Sequence, residues 1–241
     1  MEEGQFSRTE RIYGEAGMRR LAGARVAVFG VGGVGGYVVE ALARSGVGAL
    51  DLIDADRVCL SNLNRQIIAT HATLGQLKVE AARERIASIS PACRVETYPV
   101  FYLPETAGQF DFTVYDYVVD AIDTVTGKIA LVEQAAAAGT PIICSMGAGN
   151  KTDPTAFQVA DLSKTTMDPL ARVMRRELGR RGIRHIKVVY SREPPLSPQW
   201  GQEHTRKQVP GSNAFVPAAA GLAIAAEVVR TLSGFTDERV W

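Results

Sequence analysis

Three glycines and one acid carry the first chemistry in this sequence. Gly30, Gly32 and Gly35 have the G-x-G-x-x-G spacing, with Gly33 between them, and they follow the apolar run Val26-Ala27-Val28-Phe29. Missing side chains let the backbone turn sharply, approach a phosphate closely and seat the next helix on the sheet. A phosphate placed there meets free amide groups and the positive end of a helix dipole. Asp54 follows a second apolar run, Ala49-Leu50-Asp51-Leu52-Ile53. It lies about twenty residues beyond the last of these glycines, where a carboxylate binds a ribose hydroxyl. Together these residues predict a cradle for a nucleotide.

Such a cradle needs a strand before the turn and a helix after it. Tyr37 to Ala43 supplies the helix, Ser45-Gly46-Val47-Gly48 the turn into the second strand, and the three elements make one βαβ unit. The alternation continues. Leu77 to Ile89 has a helical apolar face and stops at Ser90-Pro91 before a strand near 94–100, Tyr115 to Ile122 reads as a buried strand, and Lys128 to Ala138 as an alanine-rich helix before the strand Pro141 to Ser145. Upstream, Thr9 to Ala22 reads as a basic, half-buried helix. After Gly149 come the strands Phe157 to Asp161 and Ile186 to Tyr190. Between them a helix opens with Asp168 as N-cap and Pro169 as its first residue. Its stripe of Leu170, Val173, Met174 and Leu178 leaves Arg172, Arg175 and Arg176 outside. Glu193 to Ser212, with four prolines, reads as a loop, and a closing helix from Asn213 is interrupted early by Pro217. The expected fold is α/β: a Rossmann-like, mostly parallel sheet flanked by helices, with a C-terminal extension of strands and helix. We expect one domain over 1–241, with a nucleotide-binding core over 1–150 and an extension over 151–241 that binds substrate and forms a dimer.

Composition narrows the class further. The chain has 22% charged and 46% apolar residues and a formal net charge of +1, ordinary values for a soluble enzyme that give no overall push toward nucleic acid. Cys59, Cys93 and Cys144 are odd in number and include no C-x-x-C pair, which argues against a disulfide framework or a zinc clamp and for a reducing, cytoplasmic setting. His71, His185 and His204 are dispersed and suggest no metal site. The polar N-terminus has no apolar segment behind it and predicts no secretory signal. The longest uncharged apolar run, Ala214 to Ala226, falls short of the ~20 residues of a membrane span.

After Asp54 the chain continues Ala55-Asp56-Arg57-Val58-Cys59-Leu60-Ser61-Asn62-Leu63-Asn64-Arg65-Gln66 and then reaches Lys78. The string D-x-D-x-V-x-x-S-N-x-x-R-Q after a G-x-G-G-x-G turn resembles the ubiquitin-activating-like adenylyltransferase superfamily, which includes the molybdopterin-synthase and thiamine-pathway adenylyltransferases. The resemblance runs from about Arg8 to the closing helix. Thr9 to Gly14, Ala121 to Thr124, Gly147 to Gly149 and Asp153 to Thr155 look most like its tRNA threonylcarbamoyladenosine dehydratase branch. That resemblance implies an ATP-dependent cyclisation, with loss of water, of threonylcarbamoyladenosine beside the anticodon. It implies that Asp54 holds the ribose with Asp56 beside it, that Asn62 and Arg65 contact the phosphates, that Lys78 grips the nucleotide and that Asp123 orients Mg2+. Asp120 is the competing carboxylate, and helix capping the competing role for Asp123. Arg11 matches an arginine that in relatives reaches the triphosphate from a partner subunit, which implies a homodimer; Arg8 lies close enough to be exchanged with it. A cysteine desulfurase and its sulfur acceptor are further implied partners.

The residues suit such a reaction. A carboxylate attacking ATP approaches an anion, and cations and amides must neutralise both in the transition state; Arg65 and Lys78 are the suppliers. The runner-up is an adenylyltransferase activating the C-terminus of a small ubiquitin-like or sulfur-carrier protein. Members of that kind usually carry a catalytic cysteine in the later crossover loop or two zinc-binding C-x-x-C pairs, and this sequence has neither. A substrate whose own ureido group traps the activated carboxyl needs no enzyme thiol. The cluster Arg172, Arg175, Arg176, Arg180, Arg181, Arg184 and Lys187 would hold tRNA phosphates by charge; its plain alternative is a solubilising helix face.

Overall fold

The computed structural model describes residues 4–197 and 210–236. Val26, Ala27, Val28 and Phe29 are completely buried, as in a strand covered by helices on both faces. The strands in chain order are β1 (Arg25–Phe29), β2 (Ala49–Ile53), β3 (Arg94–Tyr98), β4 (Tyr117–Asp120), β5 (Ile142–Ser145), β6 (Phe157–Asp161) and β7 (Lys187–Ser191). They form one sheet in the order β3-β2-β1-β4-β5-β7-β6, parallel except for the β6–β7 pair. This is the expected fold class, and β6 and β7 extend the same sheet. The chain order reverses between β1 and β4, which leaves a crevice beyond their carboxyl ends where doubly wound sheets bind ligands.

The helices are α1 (Ser7–Gly23), α2 (Gly35–Arg44), α3 (Lys78–Ile89), α4 (Val125–Ala138), α5 (Pro169–Arg180) and α6 (Val216–Ser233). One core joins Leu21, Val38, Leu42, Val79, Ile86, Ile224 and Val228, so α1, α2, α3 and α6 cover one face of the sheet. The other joins Leu131, Val132, Met174 and Leu178 with an aromatic group around Phe29, so α4 and α5 cover the second face. Phe29 packs against Tyr102, Phe110 and Phe112 with ring centroids 4.9 to 5.5 Å apart. Tyr102 also donates a 2.5 Å hydrogen bond to Gln134 on α4, which anchors the 100–103 segment below the crevice.

Several boundaries differ from expectation. The strand expected over 115–122 is limited to Tyr117–Asp120, and α4 starts three residues early, which leaves Asp123 one residue before its N-cap, Thr124. Pro217 does not interrupt α6 but opens it in the first turn, where a missing N–H removes no helical bond. The helix begins at Val216 with Phe215 as N-cap, and Asn213, expected to begin it, lies two residues before that cap, where its side chain accepts the N–H groups of Phe215 and Val216. By length and composition α6 could cross a membrane, but 56% of it is buried against the rest of the protein. Helix α1 is broken at Gly14, with φ 69 and ψ 165, so its two halves run in different directions. Of the expected loop 193–212, residues 198–209 lie outside the described residues.

The tightest constraint on the fold is steric. A Cβ on Gly35 would sit 1.8 Å from the Gly30 carbonyl oxygen. Gly35→Ala is therefore expected to destabilise the protein by about 3 kcal/mol or more, read as a drop in the thermal midpoint; Gly32→Ala, whose Cβ would meet nothing nearer than 3.7 Å, should leave it nearly unchanged.

Candidate active site

A cavity of about 550 Å³ opens at the carboxyl ends of β1, β2 and β4, within the usual range for a small-molecule site. The glycine turn, the segment after β2, the 100–103 wall, the β4–α4 turn and the start of α6 line it. Gly30 has φ +89, and a side chain there would strike the Ala121 carbonyl at 2.6 Å, so it seats the turn against the end of β4. Gly32 and Gly33 line the cavity; Gly35 does not, and its role is the close approach of α2 to the turn.

Asp54 ties the turn to the end of β2. Its two carboxylate oxygens accept the N–H groups of Val31 and Asp56, each at 2.8 Å. Burial raises its pKa against the opposing pull of Lys78 and those two N–H groups. Lys78, at the start of α3, is only 6% exposed; its Nζ donates to Asp56 at 2.7 Å and lies 4.0 Å from Asp54. Asn62 is buried in a short 3-10 turn, Leu60–Asn62, and its Oδ1 accepts the Cys59 N–H. Arg65, four residues after Ser61, is steadied by the Ser61 carbonyl and the Asn64 side chain. Asp123 is exposed at the cavity wall and, among the described residues, accepts only a 3.4 Å bond from the Thr124 hydroxyl. Asp120 lies behind that wall, fully buried and paired with Lys128 at 2.9 Å, and N-cap Thr124 accepts no cap bond. Of the two carboxylates, Asp123 alone faces the cavity.

The cavity therefore gathers Gly30, Gly32, Gly33, Asp54, Asp56, Asn62, Arg65, Lys78 and Asp123. Arg11 does not line it; it lies on the half of α1 that precedes the break at Gly14. Two features escaped the sequence. Gln66 lines the cavity with its Oε1 buried and unpartnered, and its signal was the R-Q end of the motif itself. Val100 to Leu103 form a wall that no spacing announces. Among the described residues the charged lining is three acids, Asp54, Asp56 and Asp123, against two bases, Arg65 and Lys78, a balance of −1. An anion entering here needs further cations.

The arginine cluster is less uniform than expected. The α5 cap is as read, since Asp168 accepts the Ala171 N–H. Ala171 is buried beside Met174 and Leu178, and Arg175 does not point out. Its guanidinium donates to the Leu162 and Thr165 carbonyls and the Thr165 hydroxyl, because the 3-10 turn Leu162–Lys164 folds across that side of α5. Arg181 is paired with Glu133 and Glu177, and Lys187 with Glu227. Arg176 and Arg180 share Glu177 but stay mostly exposed, and with Arg184 they line a second concavity of about 440 Å³. This concavity is lined by the second half of α5 and the Leu162–Ser163 turn and shares no lining residue with the first cavity. Arg175→Ala should lower stability by about 1 to 3 kcal/mol by stranding those acceptors, whereas Arg180→Ala should shift a denaturant midpoint negligibly.

The profile of the ThiF family matches residues 6–240. A tRNA threonylcarbamoyladenosine dehydratase of Bacillus subtilis (strain 168) is 46% identical over 95% of this chain and 94% of its own length. One of Escherichia coli (strain K12) is 41% identical over 81% of this chain and 76% of its own. The solved structure of the E. coli tRNA N6-threonylcarbamoyladenosine dehydratase in complex with AMP superposes with a TM-score of 0.87 at 37% identity, covering 95% of this chain and 94% of that one. The same enzyme in complex with ATP gives 0.87 at 36%.

Proposed function

The chain belongs to the ThiF family, and from that premise we propose that it is an enzyme that uses ATP to dehydrate threonylcarbamoyladenosine in tRNA, cyclising it through activation of its carboxylate. The observation that carries this reading is the single cavity that collects the glycine turn, Asp54, Arg65, Lys78 and Asp123 in a chain similar along its length to dehydratases. A substrate carboxylate oxygen attacks a phosphorus of ATP, forming a mixed anhydride as the bond to the leaving group breaks and pyrophosphate (attack at the α-phosphorus) or ADP (attack at the γ-phosphorus) departs. The ureido group of the same substrate then attacks the acyl carbon and expels the phosphate-bearing oxygen, so that one water is lost overall. The second step is intramolecular, and its high effective molarity removes the need for an enzyme nucleophile.

The residues divide that work. The backbone at Gly32 and Gly33 comes close to the phosphates because no side chain intervenes. Asp54 binds the ribose through lone pairs that remain after its two N–H bonds, since a carboxylate has about four acceptor sites. Asn62 and Arg65 contact the phosphates. Lys78 gives up part of its contact with Asp56 to neutralise charge as the phosphorus is attacked. The lining balance of −1 leaves a triphosphate undercompensated, which is the reason to assign two further cations. Asp123 suits one of them: Mg2+ bound with nucleotide is typically held by one or two carboxylates plus the phosphates and waters, and among the described residues no cluster of three or more metal-binding side chains occurs. Magnesium would neutralise phosphate charge there. Arg11 of the partner subunit is the other, which makes the site dependent on a homodimer. The surface of Arg176, Arg180 and Arg184, with Arg172 nearer the cavity, takes backbone phosphates of the tRNA away from the reacting nucleotide.

Incubation with ATP, magnesium and tRNA carrying threonylcarbamoyladenosine, followed by mild digestion and nucleoside mass measurement, should show an ATP-dependent loss of one water. Unchanged nucleoside, together with pyrophosphate exchange that requires a small protein, would contradict the assignment. Lys78→Ala, Arg65→Ala and Asp123→Ala should each lower kcat/KM by about 10²-fold or more with the fold intact. Replacing Arg176, Arg180 and Arg184 with alanine should weaken tRNA binding and flatten the slope of log affinity against log salt by about two to three, without changing ATP affinity.

A further inference from the structure

Asp120 and Lys128 are wholly buried charges that the reaction does not use directly. Asp120 ends β4, Lys128 is the fourth residue of α4, and Lys128 Nζ donates to Asp120 Oδ1 at 2.9 Å with neither side chain exposed. The same ammonium donates to the Ile122 carbonyl at 2.9 Å, and Asp120 Oδ1 accepts the Ile122 N–H at 3.3 Å. Both backbone polar groups of Ile122 are thus held by the pair. The Ile122 side chain is fixed as well: a Cβ on Gly127 would lie 2.7 Å from its Cδ1 and equally close to the Tyr102 carbonyl. Asp123, next in the chain, has only the 3.4 Å contact from Thr124, so its direction comes from the backbone behind it.

Packing alone does not account for the pair. Desolvating two charges is unfavourable, and an apolar pair of similar volume is often as stable or more so. Asp120 Oδ2 makes the arrangement less favourable still, because it is buried without a hydrogen-bond partner. We propose that Lys128 and Asp120 are positioning residues whose buried ion pair holds the 121–124 turn in the arrangement that presents Asp123 to the metal-bound phosphates. This rests on the assignment of Asp123 made above. An ion pair suits such a task because its two hydrogen-bonding directions fix the Ile122 backbone, whereas apolar side chains would leave it free to rotate.

The test uses two charge-neutral double variants of the full chain, Asp120→Asn with Lys128→Met and Asp120→Leu with Lys128→Met, beside the single Lys128→Met and Asp123→Ala. Thermal melting, calorimetric ATP affinity with and without magnesium, and turnover are measured on each. At least one double variant is expected to melt near the parent and above Lys128→Met, which leaves a lone buried carboxylate. Its ATP affinity without magnesium should stay at the parental value, the tightening produced by magnesium should fall by about 10-fold, and kcat should fall by about 10²-fold at unchanged KM. Lys128→Arg, which keeps donors for Asp120 and Ile122, should retain more turnover than Lys128→Met. A folded double variant with parental kcat and magnesium response, beside an inactive Asp123→Ala, overturns the positioning role and leaves the assignment of Asp123 standing. If Asp123→Ala itself keeps turnover and magnesium response, that assignment fails first and the positioning role falls with it.

Discussion

The contact between the glycine turn and the end of β4 governs the rest of this molecule. Gly30 can have no side chain because the Ala121 carbonyl occupies its place, and Gly35 can have none because the Gly30 carbonyl does. Two loops that belong to different βαβ units are thereby brought within van der Waals distance at the point where the sheet order reverses. Everything the site needs hangs from that meeting. Asp54 is drawn to the turn by the Val31 N–H, Lys78 follows Asp54 and Asp56, and Asp123 leaves the β4 end on the other side of the same cavity.

The charge pattern around that contact is graded by depth. The most buried charges, Asp120 with Lys128 and Asp168 with Lys151, are paired within the protein and bear on backbone geometry. Lys78 and Asp54 are mostly buried yet reach the cavity, and the surroundings of Asp54 act on its pKa in opposite directions: burial raises it while the ammonium lowers it. Arg65 and Asp123 are the more open groups. This ordering suits chemistry on a polyanion, where exposed groups meet the ligand and deeper ones keep them from turning away.

The parts of this arrangement that could be read from sequence are those governed by short-range rules. Apolar runs announced β1 and β2, glycine spacing announced the turn, and the Asp168-Pro169 pair announced the start of α5, because each is decided by a few neighbouring residues. The misreadings came from contacts across the sequence. Arg175 sits on what a lone helix would expose, but a distant 3-10 turn folds over that side and takes its donors. Pro217 resembled an interruption because the helix was expected to begin at Asn213, whereas it begins at Val216 and Pro217 lies in its first turn. Lys128, in an alanine-rich helix, gives no local sign that it points into the interior.

One part of the architecture bears on how the protein is made. Pro210, Ser212 and Pro217 complete the cavity, and β7 must enter the sheet before β6 can pair with its far edge. In chain order the glycine turn, Asp54, Asp56, Arg65 and Lys78 all come well before the residues that form the last wall of the cavity. The cavity wall is complete only once α6 has packed beside the glycine turn, which ties the shape of the site to the folding of a segment far along the chain.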